Sequence, residues 1–410
     1  MRPCTLCGAD LADAITVAAT GRHGDACHEV ACAACGLVQR ADMPGDTELS
    51  AYYTGPYRAK FTRSPVVADD GSVHEWGTPE AERITDERTA AYADFIVSSL
   101  GLTSESSLME VGCGDGRLAA AFKERIRWVA ALEADESMAM EAIRRRVLCV
   151  NRTLDDYIAA VSPIEHDEEE PGFDAVVSCH VLEHFRDPLG ALAHMRAILA
   201  KGGKCWAEVP NTDRPYNGLS HYFQWPHLFN FTAETLSLLF IRAGFEDVHV
   251  HEHGHMLFIY GTNGGRAPVS YDEAVGIFRQ RGHDVPTGAE VAARLAAYEE
   301  RWRSRQRTER AVRVLQAFRG GDDSVSLAEL RDALDLLGEQ SARAARMAQR
   351  AMLDGAAIVE LCDAAIAGAE RYSADPYVLG MYAGEASMAA RLSHAVGNSL
   401  NAMKLIEVGA

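Results

Sequence analysis

Apolar and polar positions in the middle of the chain follow two alternating periods, which predicts strands separated by helices. Four short apolar runs have the length and composition of strands buried on both faces: 108–111, 128–132, 147–150 and 173–178. After the first run, Leu118, Ala121 and Phe122 fall on one face of a helix that begins near Arg117. The pattern therefore predicts an α/β fold, a parallel sheet with helices on both faces.

Helix boundaries can be predicted on either side of this region. Residues 78–80 read Thr-Pro-Glu, an N-cap followed by a proline at the first helical position and an acidic first turn. Thr232 similarly caps a helix that Gly244 terminates. Residues 245–251 and 256–261 then have the pattern of two strands in an antiparallel hairpin.

Composition limits the class of protein. Of the 410 residues, 48% are hydrophobic and 24% are charged, which is ordinary for a soluble enzyme. No apolar run reaches the roughly 18 residues of a membrane span, and the N-terminus lacks the apolar segment of a signal peptide. We therefore expect a cytoplasmic protein with no membrane partner. The net charge of −19 would repel a phosphate backbone and argues against nucleic acid as a partner.

Two Cys-x-x-Cys pairs near the N-terminus have the spacing of zinc knuckles. The pairs, each followed by a glycine, are Cys4 with Cys7 and Cys32 with Cys35. Four thiolates complete a tetrahedral site and leave no position for water, so the sequence predicts a structural zinc ion. Cys27 and His28 lie close by in the sequence and are alternative ligands.

The stretch from Leu108 to Gly116 reads Leu-Met-Glu-Val-Gly-Cys-Gly-Asp-Gly and joins the first strand to its helix. Three glycines spaced two apart allow positive φ angles and let a ligand approach the main chain. The spacing is not that of a dinucleotide fingerprint, and the lysine of a phosphate-binding loop is missing. Glu133 follows the second strand, where a carboxylate can bind the two hydroxyls of a ribose. These features predict a ligand that contains a ribose and no pyrophosphate.

Three motifs in this order resemble those of class I S-adenosylmethionine-dependent methyltransferases. They are Glu-Val-Gly-Cys-Gly-Asp-Gly at 110–116, a strand followed by Leu-Glu-His and Asp-Pro at 173–188, and Lys-Gly-Gly followed by Val-Pro-Asn at 201–211. The resemblance covers residues 108–262 and implies a Rossmann-like sheet, S-adenosylmethionine as cofactor, and methyl transfer. The cysteine module and Glu-Leu-Ser-Ala-Tyr-Tyr at 48–53 extend the resemblance to bacterial methyltransferases that act on nucleotide-linked sugars and other small metabolites.

The C-terminal third does not share this resemblance. Beyond residue 265 the apolar residues keep helical spacing in an alanine-rich stretch, so we expect an all-α region whose helices could form a homo-oligomer. The chain is thus predicted to contain four segments: a zinc-binding module over 1–45, an entrance segment and lid helix over 46–105, the S-adenosylmethionine-binding methyltransferase domain over 106–264, and a helical C-terminal domain over 265–410.

The resemblance implies cofactor-binding residues at the glycine turn, the strand ends and a capping tyrosine: Glu110, Gly112, Gly114, Asp115, Glu133, Thr153, Leu154, Cys179, His180 and Tyr57. The residues of the glycine turn would line the methionine end, and the glutamate after the second strand would hold the ribose. Thr153 and Leu154 would flank the adenine, while Cys179 and His180 would lie beside the sulfonium. Tyr57 or a neighbouring tyrosine would cover the cofactor or pack the domain junction.

The acceptor side is predicted from the aromatic loop over 217–232, which leaves the carboxyl end of the sheet. By resemblance to sugar C-methyltransferases, His227 is the predicted general base, although Pro226 replaces the acidic residue of their motif. His180 and Tyr222 are the other catalytic candidates. In the competing interpretation His227 forms structural hydrogen bonds, and His221 or Tyr222 faces the substrate.

Other polar residues near these motifs are predicted to have structural roles. Glu183 and His184 are expected to begin a helix, and the alternating histidines at 249–255 are expected to be solvated on an edge strand. The leading hypothesis is therefore methyl transfer to an oxygen or carbon nucleophile of a small metabolite, such as a nucleotide-linked sugar or a natural-product intermediate. The alternatives are a non-catalytic, cofactor-binding scaffold in a biosynthetic complex and an RNA methyltransferase whose zinc module binds RNA.

Overall fold

The described part of the chain comprises residues 2–54, 65–161 and 172–319, together with residues 329, 332, 333 and 336, in a computed structural model. Tyr57 and nearly all of the C-terminal region beyond Arg319 lie outside the described residues. Contacts divide the chain into two compact units, and the boundary between them follows Leu295. The four predicted segments remain a prediction.

The described strands are β1 (Ile15–Thr20), β2 (Ala26–Ala31), β3 (Val38–Arg40), β4 (Val66–Val67), β5 (Val73–His74), β6 (Ser107–Val111), β7 (Trp128–Leu132), β8 (Leu148–Val150), β9 (Phe173–Cys179), β10 (Leu199–Pro210), β11 (Phe229–Asn230), β12 (Glu246–His253) and β13 (Met256–Thr262). The described helices are α1 (Asp46–Thr54), α2 (Pro79–Leu100), α3 (Arg117–Lys123), α4 (Glu136–Arg144), α5 (Leu154–Val161), α6 (Pro188–Ala197), α7 (Leu219–Tyr222), α8 (Ala233–Arg242), α9 (Tyr271–Gln280) and α10 (Gly288–Arg319).

Seven strands form the central sheet in the order β12-β13-β10-β9-β6-β7-β8. The five strands from β10 to β8 run parallel, and β13 and β12 extend the sheet antiparallel at one edge. Ala175, Val176 and Val177 in β9 are fully buried because helices cover both faces of the sheet. The predicted α/β fold with a mostly parallel sheet and a terminal hairpin is confirmed.

Three helices of this domain, α2, α3 and α8, begin where the sequence predicts. The side chain of Thr78 accepts a hydrogen bond from the backbone N–H of Ala81, and Thr232 forms a capping box with Thr235 at the start of α8. Gly244 follows α8 with a φ of 91°. These local signals fix the start of α2 and both ends of α8.

A second, four-stranded sheet has the order β1-β2-β3-β11. Its first three strands come from the cysteine-containing N-terminus, but β11 belongs to the aromatic loop that follows β10. Phe229 and Asn230 pair antiparallel with Gln39 and Val38. The N-terminal module is therefore completed by a strand from the loop predicted to face the acceptor.

The entrance segment predicted over 46–105 contains α1 and the small β4–β5 hairpin as well as α2, and the aromatic loop over 217–232 contains α7 and β11. The partner of β11 lies about 190 residues earlier in the chain, so no local periodicity could have indicated it. None of the described helices is long and apolar enough to cross a membrane.

Candidate active site

The glycine turn after β6 contains glycines with different surroundings. Gly112 has a φ of 73°, and a Cβ there would lie 2.4 Å from Cγ2 of Val181. Gly116 likewise has no room for a Cβ, because Ala142 of α4 would lie 2.5 Å away. Gly114 has a φ of 56° and no heavy atom within 4 Å of its Cβ position. The turn is therefore tightly packed at Gly112 and Gly116 and open at Gly114, where a ligand can approach the backbone.

Glu133 lies at the carboxyl end of β7 and faces this turn. Its Oε2 accepts a hydrogen bond of 2.7 Å from the Gly114 N–H, and its Oε1 accepts one of 2.8 Å from the Asp135 N–H. The Asn151 side chain donates to the Glu133 carbonyl oxygen at 2.9 Å. These bonds fix a carboxylate beside the open part of the turn, where it can still accept hydrogen bonds from two ligand hydroxyls.

Glu110 is buried beneath the turn, and its Oε2 has no hydrogen-bond partner among the described residues. Burial, together with the negative charges of Asp115 and Glu133, raises the pKa of Glu110 to about 8. The ionised form of a buried carboxyl near other carboxylates is unfavourable unless a positive charge lies beside it. This environment fits a cationic ligand at the turn, and S-adenosylmethionine carries both a sulfonium and an ammonium group.

Three other predicted cofactor residues have contacts within the protein. The Asp115 carboxylate lies 3.8 Å from Nε of Arg117 and 3.7 Å from Nη2 of Arg145. The Thr153 hydroxyl donates to Asp156 at 2.7 Å in the first turn of α5. Leu154 is buried in the main apolar core. The structure thus shows ion-pair, capping and packing contacts for these residues, and their roles in cofactor binding stay predictions.

Cys179 is the last residue of β9, and His180 follows it next to Val181, which packs against the glycine turn. His180 has a φ of 56°; its Nε2 lies 3.3 Å from Glu208 Oε1 and its Nδ1 lies 3.5 Å from Glu183 Oε1. Burial favours the neutral ring, but the two carboxylates outweigh burial and raise the pKa of His180 to about 10. Glu208, on β10, also accepts a hydrogen bond from the hydroxyl of Tyr92. His180 is therefore a cation held between two buried carboxylates.

Glu183, which faces Nδ1 of His180, belongs to a cluster of three side chains. Glu183, His184 and His227 each place one nitrogen or oxygen atom within 4.8 Å of the other two. The rings of His184 and His227 are nearly perpendicular, with centroids 4.9 Å apart. Burial, followed by the neighbouring His184, lowers the pKa of His227 to about 3 and keeps its imidazole neutral.

The N-terminal module holds the loop that carries His227. The Arg40 N–H donates to the Leu228 carbonyl at 3.0 Å, and the Arg40 guanidinium donates to the Trp225 carbonyl at 3.0 Å. Tyr52 of α1 stacks on Trp225 with ring centroids 4.2 Å apart. The module is therefore a support for the predicted acceptor side of the site.

The four cysteines of the module lie together as the sequence predicts. The sulfur atoms of Cys4 and Cys35 are 3.5 Å apart, as are those of Cys7 and Cys32. Zn–S bonds of about 2.3 Å in a tetrahedron would separate neighbouring sulfurs by about 3.8 Å, so the cluster fits a zinc ion. Cys27 is buried and does not belong to the cluster.

Tyr222, a predicted catalytic residue, is fully buried, and its hydroxyl lies 3.3 Å from the hydroxyl of Thr212. Burial raises the pKa of Tyr222. Sequence reasoning missed Glu208 and Tyr92. Glu183 and His184 lie in a short 3-10 helix, Leu182–His184, as expected for helix-start residues, but their position next to His227 was not predicted. A glutamate within the apolar last part of β10 was the one signal that could have indicated Glu208, because buried carboxylates need partners.

The chain is similar to known proteins over the residues that surround this site. A family model described as a methyltransferase domain matches residues 84–250. An uncharacterised methyltransferase of Mycobacterium bovis is 32% identical over 133 residues, which are 32% of this chain and 64% of that protein. A ubiquinone biosynthesis O-methyltransferase of Alkalilimnicola ehrlichii is 28% identical over 135 residues, 33% of this chain and 53% of that protein.

The chain thus spans less than two thirds of the length of these curated relatives. Among solved structures, an amino pentose methyltransferase of Micromonospora echinaspora, with S-adenosylmethionine bound, has a TM-score of 0.35 and 21% identity, covering 45% of this chain and 95% of that chain. The residues that match the methyltransferase model include the glycine turn and the Glu183–His184–His227 cluster. The cysteine module and α9 and α10 lie outside the match.

Proposed function

We propose that this protein transfers the methyl group of S-adenosylmethionine to an oxygen or carbon nucleophile of a small metabolite. The observation that carries the proposal is the close packing of Val181 against Gly112. Val181 lies two residues before Glu183, so the Glu183–His184–His227 cluster and the glycine turn are neighbours. A ligand at the turn and a nucleophile at the cluster would lie side by side, and methyl transfer depends chiefly on that alignment.

The cofactor, when bound, supplies a methyl group activated by a positively charged sulfur. Its proposed binding residues are those implied by the sequence: Glu110, Gly112, Gly114, Asp115, Glu133, Thr153, Leu154, Cys179, His180 and Tyr57. Oε2 of Glu110, which has no hydrogen-bond partner among the described residues, supports this assignment because the carboxyl can ionise beside a cationic ligand. The fixed carboxylate of Glu133 supports the assignment of the ribose.

His227 is the proposed proton acceptor when no metal ion is present in the site. Its neutral imidazole next to Glu183 supports this role, because a proton that it gains would lie near a negative charge. His180 is better suited to donate a hydrogen bond than to accept a proton, since two carboxylates hold it in its charged form. The contact of Tyr222 with Thr212 supports a packing role for that tyrosine.

We also propose that Cys4, Cys7, Cys32 and Cys35 bind a structural zinc ion. The sulfur separations and the glycine after each pair support this proposal. Zinc would fix the turns that flank β1, β2 and β3. Through β11 it would also stabilise the loop that carries His227.

A small, uncharged or anionic metabolite is the proposed acceptor class, with nucleotide-linked sugars and natural-product intermediates as the first candidates. One relative is named as an O-methyltransferase, which supports an oxygen nucleophile. The net charge of −19 disfavours an extended phosphate backbone as substrate.

Calorimetry with S-adenosylhomocysteine, followed by a methyl-transfer assay on a panel of hydroxylated metabolites, tests the proposal. We expect H227Q to lower transfer at least roughly 100-fold with unchanged affinity for S-adenosylhomocysteine, as for the loss of a general base. The matched control is H194Q, because His194 is partly exposed and pairs with Asp155 outside the site. No binding of S-adenosylhomocysteine would overturn the proposal, and binding without transfer to any acceptor would favour the scaffold.

A further inference from the structure

We propose that Glu183, His184 and His227 bind a divalent transition-metal ion beside the cofactor site. The three side chains come from two segments, the turn after β9 and the loop before β11. They present one carboxylate and two imidazoles around a common point, with their donor atoms within 4.8 Å of one another. An ion about 2.1 Å from each donor holds neighbouring donors about 3 to 4 Å apart, so small side-chain rotations would complete the site.

The hydrogen bonds of His184 favour this role. Its Nδ1 lies 2.9 Å from the Pro226 carbonyl oxygen, so it donates its proton there and leaves the lone pair on Nε2. Nε2 lies 3.9 Å from Oε1 of Glu183. A ligating histidine typically donates its other ring N–H to a carbonyl or carboxylate, which orients the ring and raises its basicity.

Backbone bonds hold the two segments together. The Leu228 N–H donates to the Glu183 carbonyl at 2.9 Å, and the His227 N–H donates to the Gln224 carbonyl at 3.1 Å. The N-terminal module supports the same loop through Arg40 and β11. The three donors are therefore prearranged by the fold, as a specific metal site requires.

The charge of the cluster also favours a cation. The Glu183 side chain is 1% exposed, and neither of its oxygens accepts a hydrogen bond among the described residues. The Nδ1 of His180 lies 3.5 Å from Oε1 of Glu183, and the Nε2 of His180 lies closer to Glu208, at 3.3 Å from its Oε1. His180 could therefore stay paired with Glu208 while the carboxylate of Glu183 binds an ion.

The donor set indicates the class of ion. Two imidazoles and one carboxylate suit Mn²⁺, Fe²⁺, Co²⁺ or Zn²⁺ better than Mg²⁺ or Ca²⁺, which prefer oxygen ligands. Three protein ligands leave coordination positions open for oxygen atoms of another molecule. If the proposed function is correct, on which this part of the inference rests, that molecule is the methyl acceptor. Two adjacent oxygen atoms of the acceptor would bind the ion and so orient the acceptor. His227 would then be a ligand, and the acceptor proton would pass to solvent.

Titration of the full-length, zinc-loaded protein with Mn²⁺, followed by the electron paramagnetic resonance signal of the free ion, tests the site. A tetrathiolate site holds zinc far more strongly than Mn²⁺, so the titration reports the second site. We expect one Mn²⁺ per chain in the unaltered protein and in H194Q. E183Q and H227Q should each weaken binding at least roughly 100-fold, a larger loss than for removal of a residue that only orients a ligand.

Affinity for S-adenosylhomocysteine, measured on the same samples, shows whether each variant is folded. If E183Q is not, the H184Q and H227Q variants carry the test. Equal Mn²⁺ binding by the unaltered protein and these variants, or no binding by a protein that binds S-adenosylhomocysteine, would overturn the metal site and leave methyl transfer intact. Mn²⁺ binding without S-adenosylhomocysteine binding would refute the proposed function instead.

Discussion

Replacement of Glu110 by glutamine should stabilise the ligand-free protein, and the gain should increase with pH. The pKa of Glu110 is raised from 4.5 to about 8, chiefly by burial, so the folded state holds this proton more tightly than the unfolded state does. Stability is therefore lost as the pH rises through this range. The penalty is about 1 kcal/mol at pH 5, about 3 kcal/mol at pH 7, and approaches about 5 kcal/mol above pH 8.

Glutamine keeps the shape of the side chain and removes its ionisation. The buried glutamine amide also needs hydrogen-bond partners. If it lacks them, the folded state is destabilised by about 1 to 3 kcal/mol, and this cost does not depend on pH. The quantity to measure is the free energy of unfolding of E110Q minus that of the unaltered protein. We expect this difference to increase by about 2 kcal/mol or more between pH 5 and pH 7.

Urea unfolding followed by tryptophan fluorescence measures this difference, because Trp206 is buried in the central sheet. Exposed Glu124, in the same domain, provides the matched control E124Q, for which we expect a difference that does not change with pH. If the difference in free energy of unfolding between E110Q and the unaltered protein stays constant from pH 5 to 8.5, the pKa of Glu110 is not raised by folding.

Three further predictions concern the cofactor turn and the module. E133A should weaken binding of S-adenosylhomocysteine roughly 10- to 100-fold in calorimetry, because the ribose loses a charged acceptor, while E136A on the exposed start of α4 should not. G112A should lower the free energy of unfolding by about 3 kcal/mol, since it adds a clash to a left-handed backbone, whereas G114A should cost only about 1 kcal/mol and weaken cofactor binding instead. C35S should lose zinc by elemental analysis and lower the Tm by roughly 10 °C.

Each of these has an outcome that contradicts it. Unchanged affinity in E133A would remove the ribose assignment. Equal destabilisation by the two glycine variants, with equal affinity for S-adenosylhomocysteine, would mean that Gly114 does not face the ligand. Zinc retained at one ion per chain in C35S would favour Cys27 or His28 as the fourth ligand.

Features set by neighbouring residues could be predicted from the sequence. The caps Thr78 and Thr232 depend on bonds made within three residues, and β7 has the predicted bounds because its apolar run is short and sharply limited. The four cysteines could be grouped because two pairs at knuckle spacing have few other uses.

Features set by distant residues could not be predicted. β11 exists because Phe229 and Asn230 find a partner strand in the N-terminal module. Glu183 looked like an ordinary helix-start residue, and only the return of the chain after β10 brings His227 to it. Likewise, the link from Tyr92 through Glu208 to His180 joins three separate elements. Such sites depend on the whole topology of the sheet, which a local pattern does not contain.

A crystal structure with S-adenosylhomocysteine bound would show whether the cofactor and the acceptor lie side by side. We expect the ribose hydroxyls to bind Glu133, the backbone at Gly114 to contact the ligand, and the sulfur to face His227 across a space large enough for a methyl acceptor. A ligand whose sulfur points away from the Glu183–His184–His227 cluster, or a site elsewhere in the molecule, would contradict this expectation.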